Sequence, residues 1–151
     1  MLKGINPHIS PELLYVMAQM GHGDDLAIVD ANFPAHALAR HLPHGRVLTM
    51  GARLAATTRA VLTLFPLDDF VPAAATSMQV VGDPDAVPDP IREIIPLVEA
   101  AGSGLQSIDR FGFYELTRNS FAVLQTVDTR LYSNLILKKG VISPARGAIP
   151  G

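Results

Sequence analysis

The run "LAIV" at Leu26–Val29 is apolar at every position and ends abruptly on Asp30. A strand with one wet face alternates apolar and polar residues, whereas a run without alternation belongs to a strand covered on both faces. That feature restricts the chain to folds in which a sheet lies between other layers. The preceding segment, "SPELLYVMAQMGHGDD", narrows the choice further. Ser10 can cap a helix, Pro11 suits its first position, and Glu12 complements its positive end. Leu13, Leu14, Met17 and Met20 recur at helical spacing, and Gly21 is placed as a left-handed stop. A helix feeding into a buried strand is the unit of an α/β layer fold.

The alternation continues. Strands are expected at Arg46–Met50 and Thr76–Val81, with a helix between them at Ala52–Phe65. The turn-rich "GDPDAVPDP" at 82–90 leads into a helix from Asp89 to about Ala101. A short strand at Gln106–Arg110 and a short helix at Phe113–Asn119 follow. Phe121–Val127 and Leu131–Lys138 read as two late strands joined by a turn at Asp128–Arg130. The expected fold class is a single-domain α/β layered fold. Its mostly parallel central sheet is flanked by helices, and the late strand pair is the candidate for antiparallel pairing. One domain is expected over residues 1–141, with a flexible Pro- and Gly-rich C-terminal tail at 142–151.

Composition removes several functional classes. There is no cysteine, so disulfides, thiolate metal sites and a cysteine nucleophile are excluded. The net charge is −2 and no run of Lys or Arg exceeds two, which argues against a nucleic-acid partner. The longest uncharged stretch, Phe70–Gly82, has 13 residues, whereas a membrane span needs about 20. The N-terminal "MLKGINPHIS" lacks the apolar core of a signal peptide, so the cytoplasm is the expected location and no membrane partner is expected. The 151 residues are 48% hydrophobic and only 17% charged. That is apolar for a monomer of this size and points to burial against other subunits.

His22 lies between two glycines on a loop between helix and strand. An imidazole's ordinary pKa, about 6.5, suits proton transfer at neutral pH, but on the local sequence alone an exposed loop histidine is the simpler reading. Asp30 closes a strand, where α/β sheets bind ligands, although it could also serve only as a turn cap. His22, Asp24, Asp25, Asp30 and His36 could be read together as a metal cluster. Their spacing fits no compact ligand pattern, so no metal is expected. In "DRFGFYE", Arg110 supplies fixed donors and Tyr114 a hydroxyl with an apolar face, a pairing suited to sugar. Phe111 and Phe113 are expected in the core. In "YSNLILKKG", Tyr132 and Asn134 would share one face of a strand and Ser133 the other. No phosphate loop or dinucleotide fingerprint is present in the sequence.

Taken in order, "SPELLYVMAQMGHGDDLAIVDANFPAH", "IDRFGFYE" and "YSNLILKKGV" resemble the L-fucose mutarotase branch of the fucose mutarotase and D-ribose pyranase family. The resemblance runs from about Met1 to Val141. It implies an isomerase that interconverts the anomers of a reducing sugar, with L-fucose the leading candidate, and uses no metal, nucleotide or other cofactor. It implies a ring of identical subunits, commonly a decamer, with sugar sites near subunit boundaries. It also implies His22 as the catalytic acid, and Asp30, Arg110 and the Tyr132, Ser133 and Asn134 segment as sugar contacts. Tyr114 stands where the ribose branch carries a histidine, and Asn32 stands where fucose-type members often carry one. The competing expectations are a ribose-type pyranose–furanose interconversion and a non-catalytic sugar-binding protein on the same fold.

Overall fold

The computed structural model describes residues 2–143. The chain runs α1 (Pro11–Gln19), β1 (Asp25–Val29), α2 (Ala35–Ala39), β2 (Val47–Met50), α3 (Leu54–Leu62), β3 (Ala75–Met78), α4 (Asp89–Ala100), β4 (Leu105–Ile108), α5 (Arg110–Arg118), β5 (Ala122–Thr126) and β6 (Leu135–Lys138). The six strands form one sheet in the order β2-β5-β1-β6-β3-β4. β1 and β2 each run parallel to β5, and β3 runs parallel to β4. β6 is antiparallel to both of its neighbours, β1 and β3. Five strands therefore run one way, and β6 is threaded backwards through the middle.

The all-apolar β1 explains the layering. Leu26 and Ile28 point into a core built with α1, α3 and α4. Ala27 and Val29 point into a second core with α2 and α5. Each large side chain so buried contributes about 1.5–3 kcal/mol, which forces helices onto both faces. Among the described residues no helix is long and apolar enough to cross a membrane.

The mostly parallel α/β expectation holds, but several local readings change. β5 and β6 do run in opposite directions, yet they are not neighbours, because β1 lies between them. The "turn" at Asp128–Arg130 is in fact part of a crossover. Arg110 does not end a strand. The Asp109 carboxylate accepts the Phe111 and Gly112 N–H groups and starts α5 at Arg110. That start turns Phe111 outward, 76% exposed, while Phe113 is fully buried, so only one of the two phenylalanines is core. α3 begins at Leu54 because its first N–H is capped by Asp128, 74 residues away. α2 follows Pro34 and is too short to leave a periodic signature.

Gly21 does not stop α1 in a left-handed turn. The cap is Met20, in extended conformation. Lys139 Nζ takes up the Met17 carbonyl (2.7 Å) and the Met20 carbonyl. The left-handed residue of the loop is Gly23, at φ +85°. The expected C-terminal tail lies, from residue 144 onward, outside the described residues.

Candidate active site

The carboxyl ends of the five parallel strands and the amino end of β6 share one edge of the sheet. Ligands in open α/β sheets collect at such an edge. Asp30 sits there, directly after β1, and is 6% exposed. It is tied to Asn134 twice. Its N–H donates to Asn134 Oδ1 at 3.0 Å, and Asn134 Nδ2 donates to Asp30 Oδ2 at 2.8 Å. Its other oxygen accepts the Asn32 N–H at 2.9 Å, so Asp30 is a turn former as well as a strand-end carboxylate. Burial pushes its carboxyl above the usual range, and the hydrogen bond from Asn134 pulls part of the way back.

Tyr132 and Asn134 are not residues of a strand, since β6 begins only at Leu135. Tyr132 adopts φ 59°, the sole left-handed non-glycine among the described residues. An L-residue there stores strain, and such residues cluster at functional sites. Its hydroxyl accepts the Val81 N–H at 3.1 Å, linking the start of β6 to the segment after β3. Ser133 is fully buried, beside the Asp128 carboxylate. That carboxylate, paired with Arg130, is held far below its ordinary range.

Arg110 stands at the same edge, at the first position of α5. Its guanidinium lies over the Phe111 ring at 5.2 Å and forms part of the wall of two shallow depressions of about 560 and 300 Å³. Tyr114, one turn on, stacks on Phe33 with centroids 5.0 Å apart and planes 19° apart. Phe33 follows the Asp30 turn, so this stack joins the Arg110 side of the edge to the Asp30 side. Phe33 was not singled out in the sequence. The Asp109 cap fixes where Arg110 starts, so Asp109→Ala should cost about 1 kcal/mol in urea denaturation. It should also weaken any ligand held by Arg110.

His22 lies elsewhere. It precedes β1, so it is at the opposite edge of the sheet from Asp30. The five residues of β1 put at least about 16 Å between them. The metal-cluster reading of His22, Asp24, Asp25, Asp30 and His36 is therefore dismantled by the topology. Among the described residues no group of three His, Cys, Asp or Glu side chains could hold a metal. Asp24 instead accepts the Gly21 N–H at 2.7 Å, and Asp25 pairs with Lys138 at 2.8 Å.

At its own edge His22 is braced. Nε2 is 3.1 Å from Asp68 Oδ1, and the ring packs against Phe70 at 5.3 Å. Asp68 is 4% exposed while the His22 side chain is 47% exposed. The Asp68 carboxyl is held below the usual range, first by the Phe70 N–H and then by His22 and Lys138. A carboxylate can only accept, so it selects the tautomer with hydrogen on Nε2. The imidazole is thus anchored on one nitrogen and has the other to exchange protons. Beside it opens an apolar depression of about 440 Å³ lined by Leu14, Met17, Met20, Leu64, Pro66 and Ile142. Asp68 was not predicted, because it is 46 residues from His22 and becomes its neighbour only through the pairing of β3 with β6 and of β6 with β1.

The fold and its two polar edges define an α/β protein with a carboxylate-anchored imidazole at one edge and a separate row of hydroxyl-matching groups at the other. The model of the RbsD / FucU transport protein family matches residues 3–142. The chain belongs to that family. The fucose mutarotase of Danio rerio is 44% identical over 147 residues, 95% of each chain. The human fucose mutarotase is 40% identical over 147 residues, 94% of this chain and 95% of that one. The crystal structure of the fucose mutarotase from Streptococcus pneumoniae in complex with L-fucose superposes with a TM-score of 0.84 at 33% identity, covering 94% of this chain and all of the other.

Proposed function

We propose that this chain is a cytoplasmic monosaccharide mutarotase that interconverts the α and β anomers of L-fucose by opening and reclosing the sugar ring. The observation that carries the reading is the Asp68-braced, half-exposed His22. Opening a cyclic hemiacetal needs a proton delivered to the ring oxygen and one removed from the anomeric hydroxyl. A positioned imidazolium performs the first step. Reclosure on the other face of the carbonyl returns the proton and completes the inversion. Asp30 and the Tyr132 hydroxyl are the candidates for taking the anomeric proton. Arg110, Asn134 and Tyr114 hold and orient the sugar, and Ser133 packs beneath them. The likeness to enzymes named for fucose supports the choice of sugar.

Because His22 and Asp30 occupy opposite edges, one chain does not make a whole site. We assign the complete site to the boundary between two copies, with His22 from one and Asp30, Arg110 and the Tyr132–Asn134 segment from its neighbour. Head-to-tail contacts of this kind close into rings when the rotation permits, and a decamer is the assembly we propose. The exposed Phe70 (72%), Phe111 (76%) and Val81 (61%) lie at the two edges that such a contact would join.

Saturation-transfer NMR of anomeric protons over L-fucose, D-ribose, D-galactose and D-glucose tests the reading. Accelerated exchange is expected for L-fucose above the rest. Ring-size interconversion of D-ribose as the dominant activity would replace it with a pyranase. Binding without exchange would leave only a sugar-binding protein.

A further inference from the structure

Lys138, the last residue of β6, and the two residues after it bond to the backbone beside both halves of the His22–Asp68 pair. On the His22 side, Lys139 O accepts the Gly23 N–H at 2.8 Å and Lys139 N–H donates to Asp24 O at 2.8 Å. These bonds pin the loop immediately after His22. On the side before His22, Lys139 Nζ holds the carbonyls of Met17 in α1 and of Met20, its cap, which lead into the same loop. On the Asp68 side, the Asp68 N–H donates to Lys138 O at 3.1 Å, and the Gly140 N–H donates to Pro66 O at 2.8 Å. Leu67 and Lys139 pair as an isolated antiparallel bridge.

Gly140 permits this second contact. A β-carbon at 140 would stand 2.6 Å from the Leu67 carbonyl carbon and 2.8 Å from Asp68 Cα, with the Leu67 oxygen nearer still. All are backbone atoms, which cannot rotate away as a flexible side chain would. Close backbone approach is a position only glycine can fill.

We propose that Lys138–Gly140 is a positioning element that sets the distance and angle between His22 and Asp68, with Gly140 its tightest point. None of these residues needs to touch sugar. They act through Asp68 on one side and through the loop that carries His22 on the other, and so through the tautomer and aim of the imidazole. The functional consequence rests on the reading of His22 as the acid. The positioning itself does not.

Two readouts separate these claims. Imidazole ¹⁵N NMR without sugar reports which nitrogen of His22 carries hydrogen, and wild type is expected to show the Nε2–H form. In Gly140→Ala, displacement of Asp68 should yield a mixture of tautomers. Anomer exchange should fall by about 10- to 100-fold, the scale of a misplacement near 1 Å, with kcat falling more than KM changes. In an Asp68→Asn background, Gly140→Ala should add no further loss, because its effect travels through Asp68. A folded, assembled Gly140→Ala protein with the wild-type tautomer and rate overturns the proposal, and so does an undiminished loss in the Asp68→Asn background. If Gly140→Ala does not fold, Lys139→Met decides. It keeps the chain length and backbone bonds but drops the ties to Met17 and Met20. Tautomer mixing is then expected, and a wild-type spectrum and rate overturn the proposal. A wild-type protein that shows the Nε2–H form but exchanges no anomers would refute the activity and leave the positioning standing.

Discussion

His22→Gln is expected to abolish most anomer exchange while the protein still folds, assembles and binds sugar. Glutamine approximates the size and keeps hydrogen-bonding capacity, but it cannot deliver a proton to a ring oxygen at neutral pH. A positioned acid–base group contributes about 10²–10⁴-fold to rate, so a fall of that order is the expected reading by saturation-transfer NMR. The stability cost should stay at about 1 kcal/mol, the scale of weakening one hydrogen bond to the buried Asp68, because the side chain itself is 47% exposed. The separation along β1 adds a sharper test. Asp30→Asn should also be slow, and the two slow variants should rescue each other when unfolded together and refolded at equal amounts. In a randomly mixed ring about a quarter of the boundaries would pair an intact His22 with an intact Asp30. Recovery of roughly that fraction of activity is expected. Wild-type exchange by His22→Gln would move the acid elsewhere, first to Tyr132 or Tyr114. A slow His22→Gln with no rescue on mixing would place the whole site within one chain.

Asn134→Leu should be the most damaging conservative change at the other edge. It removes the bond that Asn134 donates to the Asp30 carboxylate and the one it accepts from the Asp30 N–H. One charge-assisted and one neutral hydrogen bond together are worth about 2–4 kcal/mol in a buried setting. The loss should depend on pH in a definite direction. Burial already raises the folded-state pKa of Asp30, and the Asn134 hydrogen bond is the largest influence holding it down. A carboxyl whose folded pKa lies above its unfolded value, about 3.9, takes stability away as pH rises through that interval. Removing Asn134 widens the interval. The deficit relative to wild type should therefore be smaller near pH 4 and full at pH 7, in urea denaturation at fixed protein concentration. An equal deficit at both pH values would mean that Asn134 holds only the backbone and not the carboxylate.

The layered fold was legible in the sequence because its signals are local. An unbroken apolar run demands cover on both faces, and Ser10, Pro11 and Glu12 mark a helix start within three residues. Helix and strand periodicities survive without any knowledge of partners. The lone antiparallel strand was half legible. The opposed direction of β5 and β6 could be read, but not that β1 inserts between them, because pairing between distant strands leaves no local trace. The same limit moved the start of α3, whose cap comes from Asp128, and reassigned Gly21, since the extended Met20 ends α1 and Lys139 takes up the carbonyls there.

The candidate residues divide in the same way. His22, Asp30, Arg110 and Asn134 could be named from residue chemistry and motif, since each stands in a short stretch with distinctive residue types, although the elements around Arg110 and Asn134 begin elsewhere than the sequence indicated. Phe33 and Asp68 could not, because nothing in "NFP" or "PLDDF" says which ring or imidazole they will meet. The sequence by itself determined the layers, the edge-placed polar groups and an imidazole on a glycine-flanked loop, all consequences of periodicity and side-chain chemistry over short stretches. Only the tertiary structure decided that Asp68 braces that imidazole, that Gly140 lets it do so, and that His22 and Asp30 stand at opposite ends of one strand. Those facts depend on strand order and direction, which are set by the burial of the whole sheet at once.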